Sequence, residues 1–456
     1  TEMRRVLCTV LALSVCLVAV VAIGFAQPVH EITLVAWTIG PDEPSINRFQ
    51  NLKVAAERLN RELQSEGSNI RVKVDGLFDT TTWGDFKSKF VLASQAGKGP
   101  DIICSGHEDV APWGDGKYII PLDSYINKYW AHTYYDVFPA LWNSVTYKGQ
   151  RWGVPQDTEA RPMFYNKAAL RKLGWTEAQI DALPDRILKG DFTLYDMLAL
   201  AKEAQDKGII AKGLGYYHRP RQGYDFYQYY QVFGGTLQDP DTGKLVLDRK
   251  ALLAFLRFHY DTVFTYETTP KDYLGTEWRI WHENVSSGKA MFWNGGTWHW
   301  AEWNRVYKVP EEQMWRDFGF ALNPAATKGG RPGTLSHPVA YMITTRCQNP
   351  EIAFRVITLA TASDLNSKHA VESGHLAIRK AQLDDPIYKQ NRFLRATAYM
   401  SEYAGFIPNH PKFGIYDGIV FRALSAVEGG QVKPETAVEI VVDELKAELG
   451  SEVLIK

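Results

Sequence analysis

The sequence predicts an α/β protein built as two domains, and three observations lead to that prediction. Residues 31–105 alternate strand-like and helix-like segments, which is typical of a parallel sheet with helices on both faces. The length of 456 residues exceeds what one hydrophobic core usually serves. A late strand-like segment, residues 339–345, is bracketed by helical sequence, which indicates a return to the first domain.

The elements of the first part of the chain follow from hydrophobic periodicity. Residues 31–37, 70–78 and 101–105 have the composition of strands, and residues 46–63 and 83–97 have helical periodicity. In sheets of this kind, ligands bind beyond the carboxyl ends of the strands. The loops that follow Trp37, Phe78 and Ser105 should therefore converge on one site.

The middle and the end of the chain are richer in helix. Thr193 caps a predicted helix over residues 193–208, and residues 251–263 form an apolar helix that we expect to be buried. The last third adds the strand 339–345 and helices over 349–362 and 433–449. Because no internal repeat or long low-complexity linker interrupts the chain, domain boundaries are expected at strand crossings.

The first 26 residues have the pattern of a secretory signal peptide. Arg4 and Arg5 precede an apolar run over residues 6–25, and the small residues Gly24 and Ala26 precede Gln27. Cleavage after Ala26 is predicted, with export to the periplasm or the cell exterior. The alternative is an uncleaved membrane anchor, since about 20 apolar residues can span a bilayer.

The net charge and the cysteine content indicate which partners, disulfides and metal sites to expect. A net charge of −1 gives no electrostatic reason to expect nucleic acid or an anionic membrane as partner. The chain after residue 26 keeps two cysteines, Cys104 and Cys347, and the sequence leaves open whether they form a bridge. Without a Cys-x-x-Cys pair or a Cys/His cluster, no structural metal is expected, and no cofactor motif is found.

Catalytic motifs are missing from the sequence. It contains no zinc-protease helix motif, no nucleophile elbow, no P-loop and no dinucleotide fingerprint. A binding protein is therefore predicted rather than an enzyme. An extracytoplasmic glycosidase is the alternative, since it needs two facing carboxylates that a sequence cannot place.

One short stretch crowds three tryptophans into six residues, in the sequence NGGTWHWAEW (294–303). Three explanations compete, namely a plug in a core, a partner interface, or a flat surface for a flat ligand. At about 100° per residue a helix turns Trp300 away from Trp298. Trp300 and Trp303 are therefore expected to pack inside a domain, whereas Trp298 is the candidate for a ligand.

Landmarks in a fixed order resemble the extracellular solute-binding proteins of ABC importers, in the sugar-binding branch typified by maltose-binding protein. They are AGKGPDII (96–103), IIPLDSYI (119–126), YKGQRWGVP (147–155), FYNKAALRKLGW (164–175), FGGTLQD (233–239), SSGKAMFWNGGTWHW (286–300), GFALNPAATKGG (319–330), NPEIAFRVITLAT (349–361) and the segment 407–446. Together they cover essentially the whole chain after residue 26.

The resemblance implies two α/β lobes joined by three chain crossings, with a ligand cleft between the lobes. Lobe one would hold residues 27–158 and 337–361, and lobe two residues 159–336 and 362–456. It also implies capture of a mono- or oligosaccharide and its delivery to the membrane subunits of an ABC permease. We expect a monomer.

The resemblance also implies individual ligand contacts. Trp298 falls on the tryptophan that stacks on a sugar ring, Glu159 on a glutamate that accepts hydrogen bonds from sugar hydroxyls, and Glu108 on an acidic sugar contact. The alternatives are a core residue for Trp298 and a solvated loop carboxylate for Glu159. Ser105 replaces the family's aromatic stacker, and Asp42 replaces its lysine, so the contact at Asp42 is lost or reversed.

The remaining candidates are less sharply defined. Trp37 ends the first strand, where relatives also keep a tryptophan, and Tyr224 fits the position of a family tyrosine but could equally belong to a core. Of Tyr416 and Asp417, one is expected to face the cleft, and the sequence does not say which. His107, Arg161 and His337 complete the candidate ligand-binding set.

A second ligand class stays open. Arg161, Arg219 and Arg221 could clamp a dianion, which would fit a phosphorylated polyol such as glycerol 3-phosphate. The competing explanation for these arginines is ordinary charge on a lobe surface.

Overall fold

The structure is a computed structural model that describes residues 28–41 and 43–456, with backbone only at Glu43. The predicted signal peptide, residues 1–26, and the predicted loss or reversal of a lysine contact at Asp42 lie outside the described residues. Within the described ranges, no helix combines the length and the apolar character needed to cross a bilayer.

The strands, in chain order, are β1 (His30–Ile39), β2 (Ile70–Asp79), β3 (Ile102–Gly106), β4 (Thr146–Tyr147), β5 (Gln150–Arg151), β6 (Val154–Asp157), β7 (Met163–Asn166), β8 (Tyr216–Tyr217), β9 (Leu245–Leu247), β10 (Phe292–Asn294), β11 (Phe318–Ala321), β12 (Thr334–Ser336), β13 (Val339–Ile343), β14 (Ala404–Phe406) and β15 (Val453–Ile455).

The α-helices, in chain order, are α1 (Asn47–Ser65), α2 (Trp83–Gln95), α3 (Val110–Asp115), α4 (Asp123–Tyr129), α5 (Pro139–Ser144), α6 (Lys167–Lys172), α7 (Glu177–Asp181), α8 (Leu183–Leu188), α9 (Leu194–Asp206), α10 (Tyr227–Val232), α11 (Arg249–Phe264), α12 (Trp278–Ser286), α13 (Trp298–Arg305), α14 (Glu311–Asp317), α15 (Pro350–Ala360), α16 (Ser363–Ser373), α17 (Pro386–Gln390), α18 (Arg392–Thr397), α19 (Phe413–Glu428) and α20 (Pro434–Leu449).

Two sheets organise the molecule into two α/β lobes, which confirms the predicted fold class. The first lobe is built on a sheet of order β2-β1-β3-β13-β6, and the second lobe on a sheet of order β11-β7-β10-β8. Strands β1, β2 and β3 are parallel, and the late strand β13 pairs antiparallel with β3 and β6. Strands β3 and β13 are buried along their whole length, as central strands covered on both faces should be.

Each lobe has its own hydrophobic core. Residues 32–154, 339–360 and Ile378 supply the first core, and residues 160–335 and 370–453 supply the second. The chain passes between the lobes after β6, after β12 and after α15. Cys104 and Cys347 are buried free thiols.

Local sequence explains where the helices begin. Thr82 caps α2 by accepting from the Asp85 N–H, and Thr193 and Asp196 cap α9 reciprocally. Helix α11 buries eight of its residues, as its apolar sequence predicts. The carboxyl ends of β1, β2 and β3 lie together, and each leads directly into a loop or helix that contributes to the candidate site.

Candidate functional site

The loop after β3 brings two carboxylates against a lysine. Glu108 accepts a short hydrogen bond from the Lys87 ammonium, and Asp109 lies 2.9 Å from the same group. Lys87 comes from α2, which follows β2, so the loops after Phe78 and Ser105 do converge as predicted. Gly106 makes this possible, because a Cβ atom there would lie 2.2 Å from Glu108 Oε2.

Burial and charge shift the pKa values of these groups strongly. Burial would lower the pKa of Lys87, but the charges of Asp109 and Glu108 outweigh it and raise that pKa well above its usual value. Burial would raise the pKa of Glu108, but His337 and Lys87 hold it well below its usual value. Burial raises the pKa of Asp109 to about 6, against the opposing effect of Lys87.

His337 joins this cluster to the chain crossings. Its Nε2 atom lies 2.6 Å from Glu108 Oε2, and its backbone N–H donates to Glu159 Oε1 at 2.8 Å. Glu159 follows β6 and His337 follows β12, so two crossings meet here. The ring of Tyr224, from the second lobe, lies 5.6 Å from the His337 ring.

Arg161 links Glu159 to the second lobe. Its guanidinium donates to Glu159 Oε1 at 3.2 Å and lies 2.9 Å from Asp225. Arg219 also contacts Asp225, at 2.6 Å. Burial raises the pKa of Glu159 to about 7 against the opposing charge of Arg161, whereas Arg161 and Arg219 overcome the burial of Asp225 and lower its pKa to about 2.

Trp298 is the first residue of α13, and its indole is half-buried beside these charges. The Arg161 guanidinium carbon lies 5.4 Å from the indole centroid, within cation–π range. The absence of a side chain at Gly296 makes room for the indole, because a Cβ atom there would lie 1.7 Å from the Trp298 ring. Gly374, in the left-handed conformation with φ of 76°, packs against the backbone of residues 297–298, where a Cβ would lie 2.9 Å from the Trp298 Cα.

The other two tryptophans of the stretch are core residues, as predicted. Trp300 is 5% exposed and stacks on Phe393, with ring planes 8° apart and centroids separated by 4.5 Å. Trp303 is fully buried, and its indole N–H donates to His282 Nδ1 at 3.2 Å.

The structure separates Tyr416 from Asp417 and corrects one candidate. The Tyr416 hydroxyl donates to the backbone carbonyl of Val246 at 3.0 Å, and the residue is 1% exposed, so it belongs to the core of the second lobe. Asp417 instead accepts a hydrogen bond of 2.8 Å from the side-chain amide of Gln222, which lies two residues before Tyr224. Burial raises the pKa of Asp417. Of the pair, Asp417 therefore borders the cluster.

His107 lies at the edge of the cluster around Glu108 and His337, and Trp37 lies outside it. His107 is buried, donates from Nδ1 to the Ser144 carbonyl at 3.2 Å, and has its ring 5.7 Å from that of His337. Trp37 lies apart from the cluster: the Lys89 ammonium lies 5.2 Å from its ring centroid, and the residue lines a surface cavity together with Lys98 and Arg346. The chain after β1 instead contributes to the site through α1, the helix that follows this strand.

Sequence reasoning missed several members of the site. Trp83 starts α2 with its ring 5.8 Å from His337 and 5.9 Å from the Arg48 guanidinium. Arg48, from α1, pairs with Asp157 at 2.9 Å. Both residues lie in the first turns of helices that follow parallel strands, so the rule that ligands bind beyond such strands is the signal that could have found them.

In the part of the chain that the structure describes, three groups of histidines and carboxylates lie close enough to hold a cation: Asp157, His369 and His375; His218, His259 and Glu428; and His282, His299 and Glu302. In the first group, Arg48 already neutralises Asp157. In the last, the Nδ1 atoms of His282 and His299 accept from N–H donors, so their Nε2 atoms keep protons.

The middle group is an anchor for the loop that carries Arg219. His218 Nδ1 donates to the Arg219 carbonyl at 2.7 Å, and Glu428 Oε1 lies 3.0 Å from His218 Nε2 and 2.7 Å from His259 Nδ1. The two histidines overcome the burial of Glu428 and lower its pKa to about 2.

Known proteins share this architecture. The maltotriose-binding protein of Pyrococcus abyssi is 21% identical over 347 residues, which cover 75% of this chain and 69% of that protein. The GacH receptor of Streptomyces glaucescens, solved unliganded and with acarbose, superposes with a TM-score of 0.73 at 18% identity, over 92% of this chain and 98% of that one. The maltose/maltodextrin-binding domain MalE of Bdellovibrio bacteriovorus, solved with maltotriose, gives 0.70 at 18% identity, over 92% and 100% of the chains.

At this level of identity the structural likenesses establish the fold. The family assignment comes from the sequence: residues 44–365, more than half of the chain, match the family described as bacterial extracellular solute-binding protein. Its members are binding proteins, which fits a site made of paired charges and aromatic rings at the meeting of two lobes. This chain belongs to the bacterial extracellular solute-binding protein family.

Proposed function

We propose that this chain is the substrate-binding protein of an ABC importer, and that it captures an oligosaccharide between its lobes and delivers it to the membrane permease. The observation that carries the proposal is the half-buried indole of Trp298, which lies beside Glu159, Arg161 and Asp225 where the lobes meet. A sugar has an apolar C–H face and a hydroxylated rim, so an indole with polar groups at its edge complements it.

The proposed ligand contacts divide between the lobes. Glu108, with His107 at its margin, acts from the first lobe, and Tyr224, Trp298 and Asp417 act from the second. Glu159, Arg161 and His337 act from the crossings. We take lobe one as residues 27–158 and 337–361, and lobe two as residues 159–336 and 362–456.

Binding is proposed to act through closure, without chemistry. A ligand that contacts both lobes binds the closed form more tightly than the open form, so it shifts the population towards closure. The permease would recognise the closed pair of lobes. The chain is proposed to work outside the cytoplasm, after cleavage behind Ala26, as a monomer without cofactor or nucleic acid.

The phosphorylated polyol is the less favoured ligand. Arg161 and Arg219 are already paired with Asp225, and Arg161 also with Glu159, so their charge is not free for a dianion. Arg221 is exposed. The named relatives, moreover, bind maltotriose, acarbose and maltodextrins.

A thermal-shift screen tests the function. Maltose, maltotriose, maltotetraose and glycerol 3-phosphate are each added to the purified chain, and a ligand that binds only the native state must raise the melting temperature. A shift with a saccharide supports the proposal, and a shift with glycerol 3-phosphate alone contradicts it. Chromatography of the recovered saccharide supplies the second readout, because hydrolysis would make the chain a glycosidase.

A further inference from the structure

Two histidines and a glutamate from distant segments of the chain meet in the core of the second lobe. His218 follows β8, His259 lies in the second half of α11, and Glu428 is the last residue of α19. Their side chains are 2% exposed or less. One nitrogen or oxygen atom of each lies within 4.8 Å of the others, which is close enough for all three to bind the same cation.

Aromatic rings surround this cluster. The His218 ring lies 4.9 Å from that of Tyr273, and the His259 ring lies 4.8 Å from that of Phe255. An ionised carboxylate in such surroundings needs a compensating positive charge. Within the described ranges, however, Glu428 pairs with no lysine or arginine, and its ion-pair partners are the two histidines.

The neutral form of His218 presents an unprotonated nitrogen to this carboxylate. Its Nδ1 atom donates to the Arg219 carbonyl at 2.7 Å, so the Nε2 atom of the neutral ring carries no proton. Nε2 lies 3.0 Å from Glu428 Oε1, and it makes no hydrogen bond in the part of the chain that the structure describes. Two acceptors at this distance repel each other unless they share a positive charge. A metal ion supplies that charge, and metal-binding histidines usually donate from their other nitrogen, as His218 does.

His259 and Glu428 supply the remaining donor atoms. The Nδ1 atom of His259 lies 2.7 Å from Glu428 Oε1, and burial lowers the pKa of His259 against the opposing effect of Glu428. The His259 ring is therefore neutral at ordinary pH, which is the form that binds a metal. The other carboxylate oxygen, Oε2, is buried and accepts no hydrogen bond from any described residue. A carboxylate that binds through both oxygens, together with two imidazoles, gives four donor atoms.

This set of donors selects the kind of ion. Zinc binds histidine nitrogen and carboxylate oxygen, and its structural sites are four-coordinate and closed to solvent. Calcium and magnesium instead prefer sites made of oxygen atoms alone. The buried pair of imidazoles therefore favours zinc.

We propose that His218, His259 and Glu428 bind one structural zinc ion, which fixes the loop that carries Arg219. The carbonyl of Arg219 accepts from His218, and its guanidinium lies 2.6 Å from Asp225 in the candidate site. The ion itself lies in the core of the second lobe, away from any ligand in the cleft. The inference therefore does not depend on what the chain binds there.

Metal titration of the full chain tests the inference. The purified wild type is stripped with a chelator and titrated with Zn²⁺ in competition with a chromophoric chelator. We expect one zinc ion per chain with a dissociation constant below about 1 μM, and a melting temperature at least about 3 °C higher in the zinc-bound chain. Co²⁺ in place of Zn²⁺ should give the strong visible absorption of a four-coordinate site.

Two variants locate the ion. His259→Gln should lower the affinity for Zn²⁺ by at least about 100-fold, because it removes one of the three protein ligands. His282→Gln is the matched control, because His282 belongs to another histidine–carboxylate group of the second lobe, in which Nδ1 accepts a hydrogen bond and Nε2 keeps its proton. This control should bind Zn²⁺ as the wild type does.

The opposite results would overturn the proposal. A wild type that binds no stoichiometric zinc would show that a second proton on His218 supplies the shared charge instead. Equal affinities of the two variants would place the ion elsewhere in the chain. If His259→Gln does not fold, the wild type decides, since Co²⁺ bound without the absorption of a four-coordinate site would also refute the assignment. Saccharide binding is not a readout here, so these results leave the proposed function to its own test.

Discussion

Trp298 and His375 lie with their ring planes 14° apart and their centroids separated by 6.1 Å. His375 follows α16, the helix after the third crossing, whereas Trp298 begins α13 of the second lobe. Burial lowers the pKa of His375 to about 3 against the opposing charge of Asp157, and the Arg48 guanidinium 3.2 Å away adds to the lowering, so the His375 ring is neutral at ordinary pH. The neutral imidazole of His375 therefore packs against the Trp298 indole on the side of the third crossing.

Trp298→Ala is expected to weaken saccharide binding while folding is largely kept. Aromatic anchors in binding sites typically cost about 2 kcal/mol on truncation, which is roughly a 30-fold loss of affinity. The residue is half-buried, so its removal leaves no sealed cavity. Calorimetric titration and a thermal melt of the same variant measure the two effects. A lowered melting temperature with unchanged saccharide affinity would show that the indole packs in a core and does not bind the ligand.

Trp300→Ala should behave in the opposite way. Its ring is buried against Phe393, so truncation is expected to lower the free energy of unfolding by about 3–5 kcal/mol. Affinity measured on the molecules that remain folded should barely change. Urea unfolding followed by titration checks both, and a selective loss of affinity would contradict the assignment of this residue to the core.

Lys87→Met is expected to lower the free energy of unfolding by about 2–3 kcal/mol, because it removes the cation that Glu108 and Asp109 share. Lys89→Met is the matched control on the same helix. Lys89 is half-exposed and pairs with Asp79 at 3.2 Å, so its loss should cost less than about 1 kcal/mol. Equal costs for the two variants in urea unfolding would refute a structural role for the buried pair.

Glu159 should give the stability of the chain a distinct dependence on pH. Its pKa is raised from 4.5 to about 7 in the folded chain, so the folded state holds this proton more tightly than the unfolded state. The stability from this group is full below about pH 4.5 and is lost as the pH rises towards 7. Glu159→Gln removes it, so the unfolding free energy of wild type minus that of the variant should fall across this window. A difference that stays flat from pH 4.5 to 7 would show that Glu159 is ionised throughout.

Asn409 is expected to hold the lobes together. Its side chain accepts from the Ala111 N–H at 2.8 Å and donates to the carbonyls of Ser144 and Thr146 at 3.4 and 3.3 Å, all in the first lobe. Asn409→Ala should lower the population of the closed form and lower the apparent affinity by the same factor. Small-angle scattering of the ligand-free variant would show a larger radius of gyration than the wild type, and identical curves would argue against this role.

The longer helices and strands could be predicted because each depends on the hydrophobic pattern of its own stretch of sequence. The alternation over residues 31–105 and the strand at 339–343 appear with boundaries shifted by one or two residues, since buried strands and capped helices carry strong signals. Helices of five or six residues, such as α7 and α17, were not predicted. They are set by packing rather than by periodicity.

The site was only partly predictable. Trp298 and Glu159 could be named from the resemblance, but the stack of His375 on Trp298 joins residues 77 positions apart in a way that no local pattern encodes. Tyr416 and Asp417 are neighbours in sequence, and which of them faces the core depends on how α19 packs. Lys87 was missed because its pairing with Glu108 is a property of the folded chain, and Trp83 was missed because its contacts with Arg48 and His337 join distant parts of the sequence.

Gly374, which follows α16, packs against the backbone of residues 297–298, next to the stack of His375 on Trp298. Helix α16 also contacts the first lobe, in which Asn51 donates to the Leu365 carbonyl at 2.9 Å and Arg58 pairs with Asp364. The segment 363–375 thus contacts the first lobe at one end and Trp298 at the other. We expect a change in the angle between the lobes to shift this segment, and Trp298 with it.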